Sequence, residues 1–201
     1  MTKLSTAARV VHDLGLAICF GGTLFGKVAF NPSVRALASK PERGRVGGMT
    51  WNRFNMLNAA SFGAAMLRWS YLGLGSTGKV ANRHAHGLTL TKNVLTGVAA
   101  STGLVALVAQ VMLNHQAPGG AVPLETGGVP APEASDKAAR LQRLVGALGS
   151  VNVALFGGLI AATTALCEEG VLSRHALAHE ARPPIPLSIP SHEFQSSSKP
   201  S

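Results

Sequence analysis

Two long stretches without a charged residue limit this chain to few folds. Residues 94–113 (VLTGVAASTGLVALVAQVML) and 144–167 (LVGALGSVNVALFGGLIAATTALC) are almost entirely apolar, and each is at least 20 residues long. About 20 apolar residues in a helix cross the roughly 30 Å hydrocarbon core of a bilayer. The two stretches therefore predict membrane-spanning helices.

The composition agrees with a membrane environment. Only 13% of the 201 residues are charged, whereas an ordinary soluble domain has roughly 25%. Mean hydropathy is +0.24, and the apolar residues are mostly alanine, leucine, valine and glycine, which suit closely packed helices in lipid. These values exclude a typical soluble enzyme and a disordered chain.

Two further segments predict membrane spans near residues 10–30 and 51–71. The first has an uncharged centre between Asp13 and Lys27. The second contains Arg68 and carries Trp51 and Trp69 near its ends. Tryptophan favours membrane interfaces, and 18 helical residues extend about 27 Å, so the second span fits between its own aromatic markers.

The predicted fold is all-α, a polytopic membrane protein with four transmembrane helices in a bundle. Residues 1–167 form the transmembrane domain, with spans near 10–30, 51–71, 94–113 and 144–167. Residues 168–201 are expected to form a surface helix and then an extended tail, because the end of the chain is rich in proline and serine.

An even number of spans assigns the connections to two sides. The N-terminus, residues 73–92 and the tail share one side, here called side A, and residues 31–53 and 114–143 share the other, side B. Lysine and arginine set orientation, but eight lie on each side, so the sidedness stays open. The net charge of +9 lies mainly beside the spans, which indicates contact with anionic lipid headgroups and not with nucleic acid.

Small residues at four-residue steps predict faces where helices pack. Gly22 and Gly26 form such a pair in the first span. The fourth span carries a longer series of small residues at this spacing: Ser150, Ala154, Gly158 and Ala162. Lipid supplies no hydrophobic drive between helices, so close contact through small residues is a main source of association.

Ionisable residues at membrane depth are the first candidates for function. Asp13 and Arg68 are both expected near side A, where they could form an ion pair that joins the first two helices. The alternatives are that each side chain reaches the interface separately, or that both belong to a proton or ion relay. On the other side, Lys27, Asn55, Asn58 and Gln110 lie within about two turns of their helix ends and predict an interhelical hydrogen-bond set.

Other chemical signals are weak. Residues 73–79 (GLGSTGK) resemble part of a phosphate-binding loop, but a membrane span precedes them and no serine or threonine follows the lysine. A haem held by two histidines needs both at one depth, whereas His12 and His115 are predicted at opposite sides. Cys19 and Cys167 are predicted to be packing residues. No catalytic, cofactor-binding or metal-binding residues are predicted, and we expect no enzyme activity.

The first-span sequence HDLGLAICFGGTLFGKVAFNP and the following WNRFNMLN resemble small bacterial four-span membrane proteins of uncharacterised type. The resemblance covers the first third of the chain and implies a prokaryotic inner membrane. It implies no activity and no site residues.

The absence of a catalytic set, the small-residue helix faces and the proline-rich tail favour a non-enzymatic accessory or scaffolding subunit that packs against other membrane subunits. Two alternatives remain open. One is a small-solute or ion transporter or channel, suggested by Asp13 and Arg68. The other is a haem- or pigment-binding electron-transfer subunit, suggested by the seven histidines.

Overall fold

The computed structural model describes residues 3–68 and 83–180, which are mostly helical. The helices of the first half are α1 (Lys3–Phe25), a π-helical turn (Gly26–Phe30), the short α2 (Asn31–Ser33), a 3-10 turn (Val34–Ala36) and α3 (Lys40–Arg68). The second half contains α4 (Arg83–Asn114), a 3-10 turn (Pro118–Gly120), strands β1 (Leu124–Thr126) and β2 (Val129–Pro130), and α5 (Asp136–Glu180).

Three helical segments in the described residues are long and apolar enough to cross a membrane: Arg9–Ala36, His86–Asn114 and Asp136–Glu169. They cover the predicted first, third and fourth spans. The described part of the predicted second span, residues 51–68, is also helical. It is less apolar than the three segments, because asparagines and arginines interrupt its apolar residues. Residues 69–71 of that span lie outside the described residues.

All four long helices begin before the predicted spans: α1 at Lys3, α3 at Lys40, α4 at Arg83 and α5 at Asp136. The basic connection between the first two spans is helical from Lys40 onward, as the first part of α3. The predicted surface helix after Glu168 continues α5 without a break to Glu180. The proline- and serine-rich tail, residues 181–201, lies outside the described residues.

The helices α1 and α3 pack as an antiparallel pair. Contacts between them join His12 to Ala65, Gly15 to Ser61 and Gly26 to Trp51, so the residue numbers fall along one helix as they rise along the other. A Cβ atom at Gly15 would lie 2.5 Å from the carbonyl oxygen of Ser61. Glycine is therefore needed at position 15 for this close backbone approach.

A second antiparallel pair consists of α4 and α5, and α1 connects the two pairs by also packing on α5. The main core lies at this junction and is formed by Leu16, Cys19, Ala99, Phe156 and Leu159. A smaller core around Leu113, Val122 and Ala138 lies beneath the connection between α4 and α5.

That connection folds back over the side B end of the bundle. A Cβ atom at Gly44 of α3 would collide with the carbonyl group of Val122. The antiparallel hairpin of β1 and β2 follows, and the Gly127 amide in its turn donates a 2.9 Å hydrogen bond to Asn31 O. The two connections that the sequence assigns to side B therefore form one structure, which we call the cap (residues 31–40 and 115–135).

The outer surface of the helices is more apolar than that of a soluble protein. Many large apolar side chains are exposed along α1, α4 and α5, among them Leu14, Phe25, Leu104 and Val108. Beside the apolar cores, the interior also contains buried polar side chains: His12, Thr23, Ser61, Thr96, Gln110, Gln142 and Asn152. Apolar surface facing outward and polar groups facing the bundle interior are expected when lipid surrounds the helices.

Candidate functional site

A polar cavity of about 100 Å³ lies inside the bundle at its side B half. All four long helices contribute to its wall, and the cap contributes the remainder. Its polar side chains are Thr23, Lys27, Asn31, Asn55, Asn58, Gln110, Asn114, Gln142 and Asn152. We treat this cavity as the candidate functional site.

Glycines and aromatic rings create the space. Gly103 of α4 and Gly146 and Gly149 of α5 line the cavity, where they leave room that side chains would fill. On the opposite wall, Phe54 and Trp51 of α3 lie against α1 and keep the two helices apart there. The rings of Trp51 and Phe54 meet edge to face, with centroids 5.7 Å apart.

Lys27 is the only ionisable residue among the described residues that line the cavity. Its Nζ donates a 2.7 Å hydrogen bond to Gly146 O. A Cβ atom at Gly149 would lie 3.8 Å from the same Nζ, so the ammonium group rests against the glycine-lined surface of α5. An ammonium group has three donors, and this hydrogen bond uses one of them.

Hydrogen bonds hold the amide side chains near the cap in place. Gln142 donates to Gly127 O at 3.1 Å, and Trp51 Nε1 donates to Asn31 Oδ1 at 3.0 Å. Gln110 donates to Asn114 Oδ1, and Asn114 donates in turn to Asn52 Oδ1, both at 3.0 Å. These hydrogen bonds join α5 to the hairpin, α3 to α2 and α4 to α3 around the cavity.

The deep end of the cavity is formed by Asn152 and Asn58. Asn152 accepts a 3.2 Å hydrogen bond from Thr102 and donates to Leu148 O at 3.0 Å. In the described part of the chain, the buried Oδ1 of Asn58 has no hydrogen-bond partner. The main core begins at this depth, since Cys19 contacts the Asn58 carbonyl. The cavity is therefore closed toward side A.

Ion pairs hold the outer face of the cap. Lys40 Nζ lies 2.6 Å from Glu125 Oε1 and 2.8 Å from Glu133 Oε1, and Arg43 donates to the Glu125 carbonyl at 3.0 Å. Hydrogen bonds that Lys40 donates to the carboxylates of Glu125 and Glu133 raise its pKa. The hydrogen bond from Lys40 lowers the pKa of Glu133. Both groups are exposed, so salt screens these interactions.

The predicted pair Gly22 and Gly26 lies on the face of α1 that meets α3. A Cβ atom at Gly22 would collide with the Phe54 ring, and one at Gly26 would collide with the Trp51 ring. These glycines therefore receive aromatic side chains and do not bring two backbones together. The backbone contact lies further along, at Gly15.

The series on the fourth span turns from the surface to the interior along α5. Ser150 and Ala154 are exposed, Gly158 is half-buried and Ala162 is buried. A Cβ atom at Gly158 would lie 3.3 Å from Leu95 of α4. Only the later part of the series thus lies against neighbouring helices of this chain.

Only one side chain of the predicted ion pair lies in the described part of the structure. Asp13 is exposed on α1, and Arg68 is the last residue of α3. The Arg68 side chain lies outside the described part of the structure, so the pair stays a prediction. On the buried face of α1, the polar contacts are made by His12 and Arg9 and not by Asp13. His12 Nδ1 lies 3.0 Å from Ala65 O, and Arg9 contacts Cys167 Sγ.

The structure brings Lys27, Asn55, Asn58 and Gln110 to one cavity. Lys27 donates a hydrogen bond to Gly146 O, and Gln110 donates one to Asn114 Oδ1. The four residues of the predicted set therefore line one cavity together.

Gln142, Asn31 and the cap glycines of this site were missed by the sequence reasoning. Gln142 precedes the predicted fourth span, and no periodic pattern places it beside Asn31. The charges of the two side B connections were the one available signal. The first is basic, and the second contains Glu125 and Glu133, so attraction between them could have been predicted.

The described histidines and cysteines are dispersed over the bundle. No group of three or more histidine, cysteine or acidic residues lies together among the described residues. His12 is buried in the bundle and His115 is exposed beyond α4. Cys19 and Cys167 are free thiols. The haem- or pigment-binding alternative stays a prediction, which visible absorption of purified protein tests.

A comparison of this chain with protein-family models, with curated proteins and with solved structures found no match in any of the three. The cavity is therefore interpreted from its own residues.

Proposed function

We propose that this chain is a non-enzymatic integral membrane protein that crosses a bacterial inner membrane four times and acts as an accessory subunit of a larger complex. The exposed apolar surface of three helices long enough to cross a membrane is the observation that carries the membrane assignment. The outer face of α3 is the observation that supports a partner subunit.

The packing of α3 supports a fourth span. Contacts between α3 and α1 extend from His12 to Gly26, a distance of about 21 Å at 1.5 Å per residue. Since α1 belongs to a segment able to cross a membrane, a helix packed along this length shares its depth. Asn55 and Asn58 of α3 line the cavity, so these polar groups need not face lipid.

The outer face of α3 supports a partner. Met49, Met56 and Leu57 are exposed, with Met56 at 76%, and Ala60 and Gly63 continue the same face. Methionine adapts to irregular surfaces, and small residues allow a helix to approach closely. This face is suited to a helix of another membrane subunit. The exposed Arg35, Arg45 and Arg53 near side B suit anionic headgroups.

The proposal predicts that the native protein migrates with other subunits after extraction in mild detergent. Met56→Trp should remove those subunits, because the larger ring blocks close approach at α3. Val108→Trp on α4 is the matched control and should keep them, since Val108 is an exposed residue on another helix. Migration of the native chain alone as a monomer in every mild detergent would contradict the proposal.

Transport of a small solute is a second candidate, favoured by the polar cavity. The cavity reaches from the cap to the depth of Asn152 and Asn58 but is closed beyond them by the main core. This arrangement suits a carrier that is open to one side at a time better than a continuous channel. Solute flux into liposomes tests this candidate, and flux that is unchanged by Lys27→Gln would argue against it.

A further inference from the structure

We propose that the cavity is a binding site for a small hydroxylated monocarboxylate, with the carboxylate on Lys27 and the hydroxyl group on Asn58. The inference goes beyond the accessory role, because a ligand can bind whether or not other subunits are present. It shares its location with the transport candidate but requires no transport.

The charge of the site selects an anion. Lys27 is the only ionisable residue among the described residues of the lining. An ammonium group inside a lipid-embedded bundle is costly unless it is paired. Its hydrogen bond to Gly146 O leaves two donors. A carboxylate can accept from both and also neutralise the charge.

The deep end selects a hydroxyl donor. The buried Oδ1 of Asn58 has no hydrogen-bond partner among the described residues, and leaving a buried acceptor without a donor is unfavourable. Asn58 lines the same cavity as Lys27. A ligand with an acceptor group at one end and a donor group at the other supplies what each residue lacks.

The volume limits the ligand to a few atoms. An engineered cavity of about 150 Å³ holds benzene, which has six non-hydrogen atoms. The cavity here measures about 100 Å³, which suits roughly four to six non-hydrogen atoms by the same comparison. Glycolate has five and carries both required groups, so it is the probe of choice.

In this proposal the ligand enters at side B, past the cap. The main core closes the deep end, whereas the other end is covered by Gly120, Val122, Gly127 and Gly128 of the cap. An anionic lipid phosphate offers the same chemistry to Lys27 from the surrounding membrane. The experiment therefore varies the lipid as well as the solute.

Trp51 provides a reporter, because it lines the cavity and the chain contains only one other tryptophan, Trp69. In a Trp69→Phe background in phosphatidylcholine nanodiscs, titration with glycolate should change Trp51 fluorescence and saturate. Glycolamide, which is similar in size but neutral, should bind at least tenfold more weakly. Lys27→Gln should weaken glycolate binding at least tenfold, Lys27→Arg should retain it within about threefold, and the control Lys137→Gln should leave it unchanged.

Saturation with glycolate that depends on the charge at position 27 supports the proposal. Equal binding of glycolate and glycolamide to the native protein would overturn it, even if Lys27→Gln failed to fold. Unchanged binding in Lys27→Gln would overturn it as well. If phosphatidylglycerol occupies the site and glycolate does not, the fluorescence changes with lipid composition alone, and that result also overturns the solute assignment. These outcomes are independent of whether other subunits co-purify.

Discussion

The two halves of the bundle are built from the same antiparallel helices but pack in different ways. Toward side A, Gly15 of α1 lies directly against the Ser61 carbonyl of α3, and the main core fills the junction with α4 and α5. Toward side B, the rings of Trp51 and Phe54 lie on Gly26 and Gly22. One half is tightly packed, and the other contains a polar cavity beneath a cap.

The difference shows that a neighbouring helix can pack against small residues in two ways. A glycine can admit the backbone of the neighbouring helix, or it can receive a large side chain that holds the neighbour away. Separation leaves a space, and in a bundle surrounded by lipid the interior is the favourable place for polar groups. Thus Lys27 and the amide side chains collect where the aromatic rings separate α1 from α3.

The largest expected effect comes from removing the ring that separates the helices at side B. Trp51→Ala should lower the free energy of unfolding in mixed micelles by about 3 kcal/mol, because a large half-buried side chain and its hydrogen bond to Asn31 are lost. Phe25→Ala is the control, since Phe25 is 63% exposed toward the surroundings. An equal loss in the two variants would show that Trp51 does not hold the side B half in place.

A smaller effect is expected at the close contact of the side A half. Gly15→Ala should cost about 2 kcal/mol of unfolding free energy, because the added methyl group would press on the Ser61 carbonyl and force α1 and α3 apart. Gly21→Ala is the matched control on the same helix, since no atom lies within 4 Å of a Cβ placed there. Equal stability of the two variants in a micellar unfolding assay would contradict the tight packing assigned to this half.

The smallest effect concerns the ion pairs of the cap and depends on pH. Glu133 has a pKa lowered from 4.5, so its contribution is present above that pH and is lost as the pH falls through the lowered value. Lys40 has a pKa raised from 10.5, so its contribution is present below that pH and is lost as the pH rises through the raised value. Limited proteolysis of residues 121–135 should therefore be slowest between these limits.

A variant separates this pH effect from general unfolding. Lys40→Gln should speed cleavage of the cap near neutral pH and remove part of the acid dependence, whereas Lys137→Gln should behave as the native chain does. High salt should reduce the difference between the two variants, because the paired groups are exposed. Cleavage that is independent of position 40 at every pH would contradict the assigned ion pairs.

The sequence predicted the apolar helices well and the cavity only in part. Uncharged runs such as residues 94–113 determine a membrane-spanning helix through length and composition alone, and the structure confirms three segments able to cross a membrane. The predicted second span is not among these three segments, because Asn55 and Asn58 lower the hydropathy of α3. Those asparagines line an interior space, which hydropathy along one helix does not reveal.

The lining of the cavity depends on contacts between distant residues. Lys27, Asn55, Asn58 and Gln110 were predicted together because their depths are similar. Gln142 and Asn31 join them only because the hairpin turn at Gly127 contacts both residues. Similarly, the pattern of Gly22 and Gly26 predicts a packing face but does not distinguish a ring from a backbone as its partner.

The central claim is that the exposed apolar faces of this bundle contact lipid while its polar groups face inward. A spin-label scan of α4 in nanodiscs tests this directly, with Cys19 and Cys167 replaced by alanine and single cysteines placed at exposed positions such as Leu104 and Val108. The account predicts high accessibility to oxygen and low accessibility to a water-soluble nickel reagent at these positions. High accessibility to the nickel reagent along this face would contradict the account.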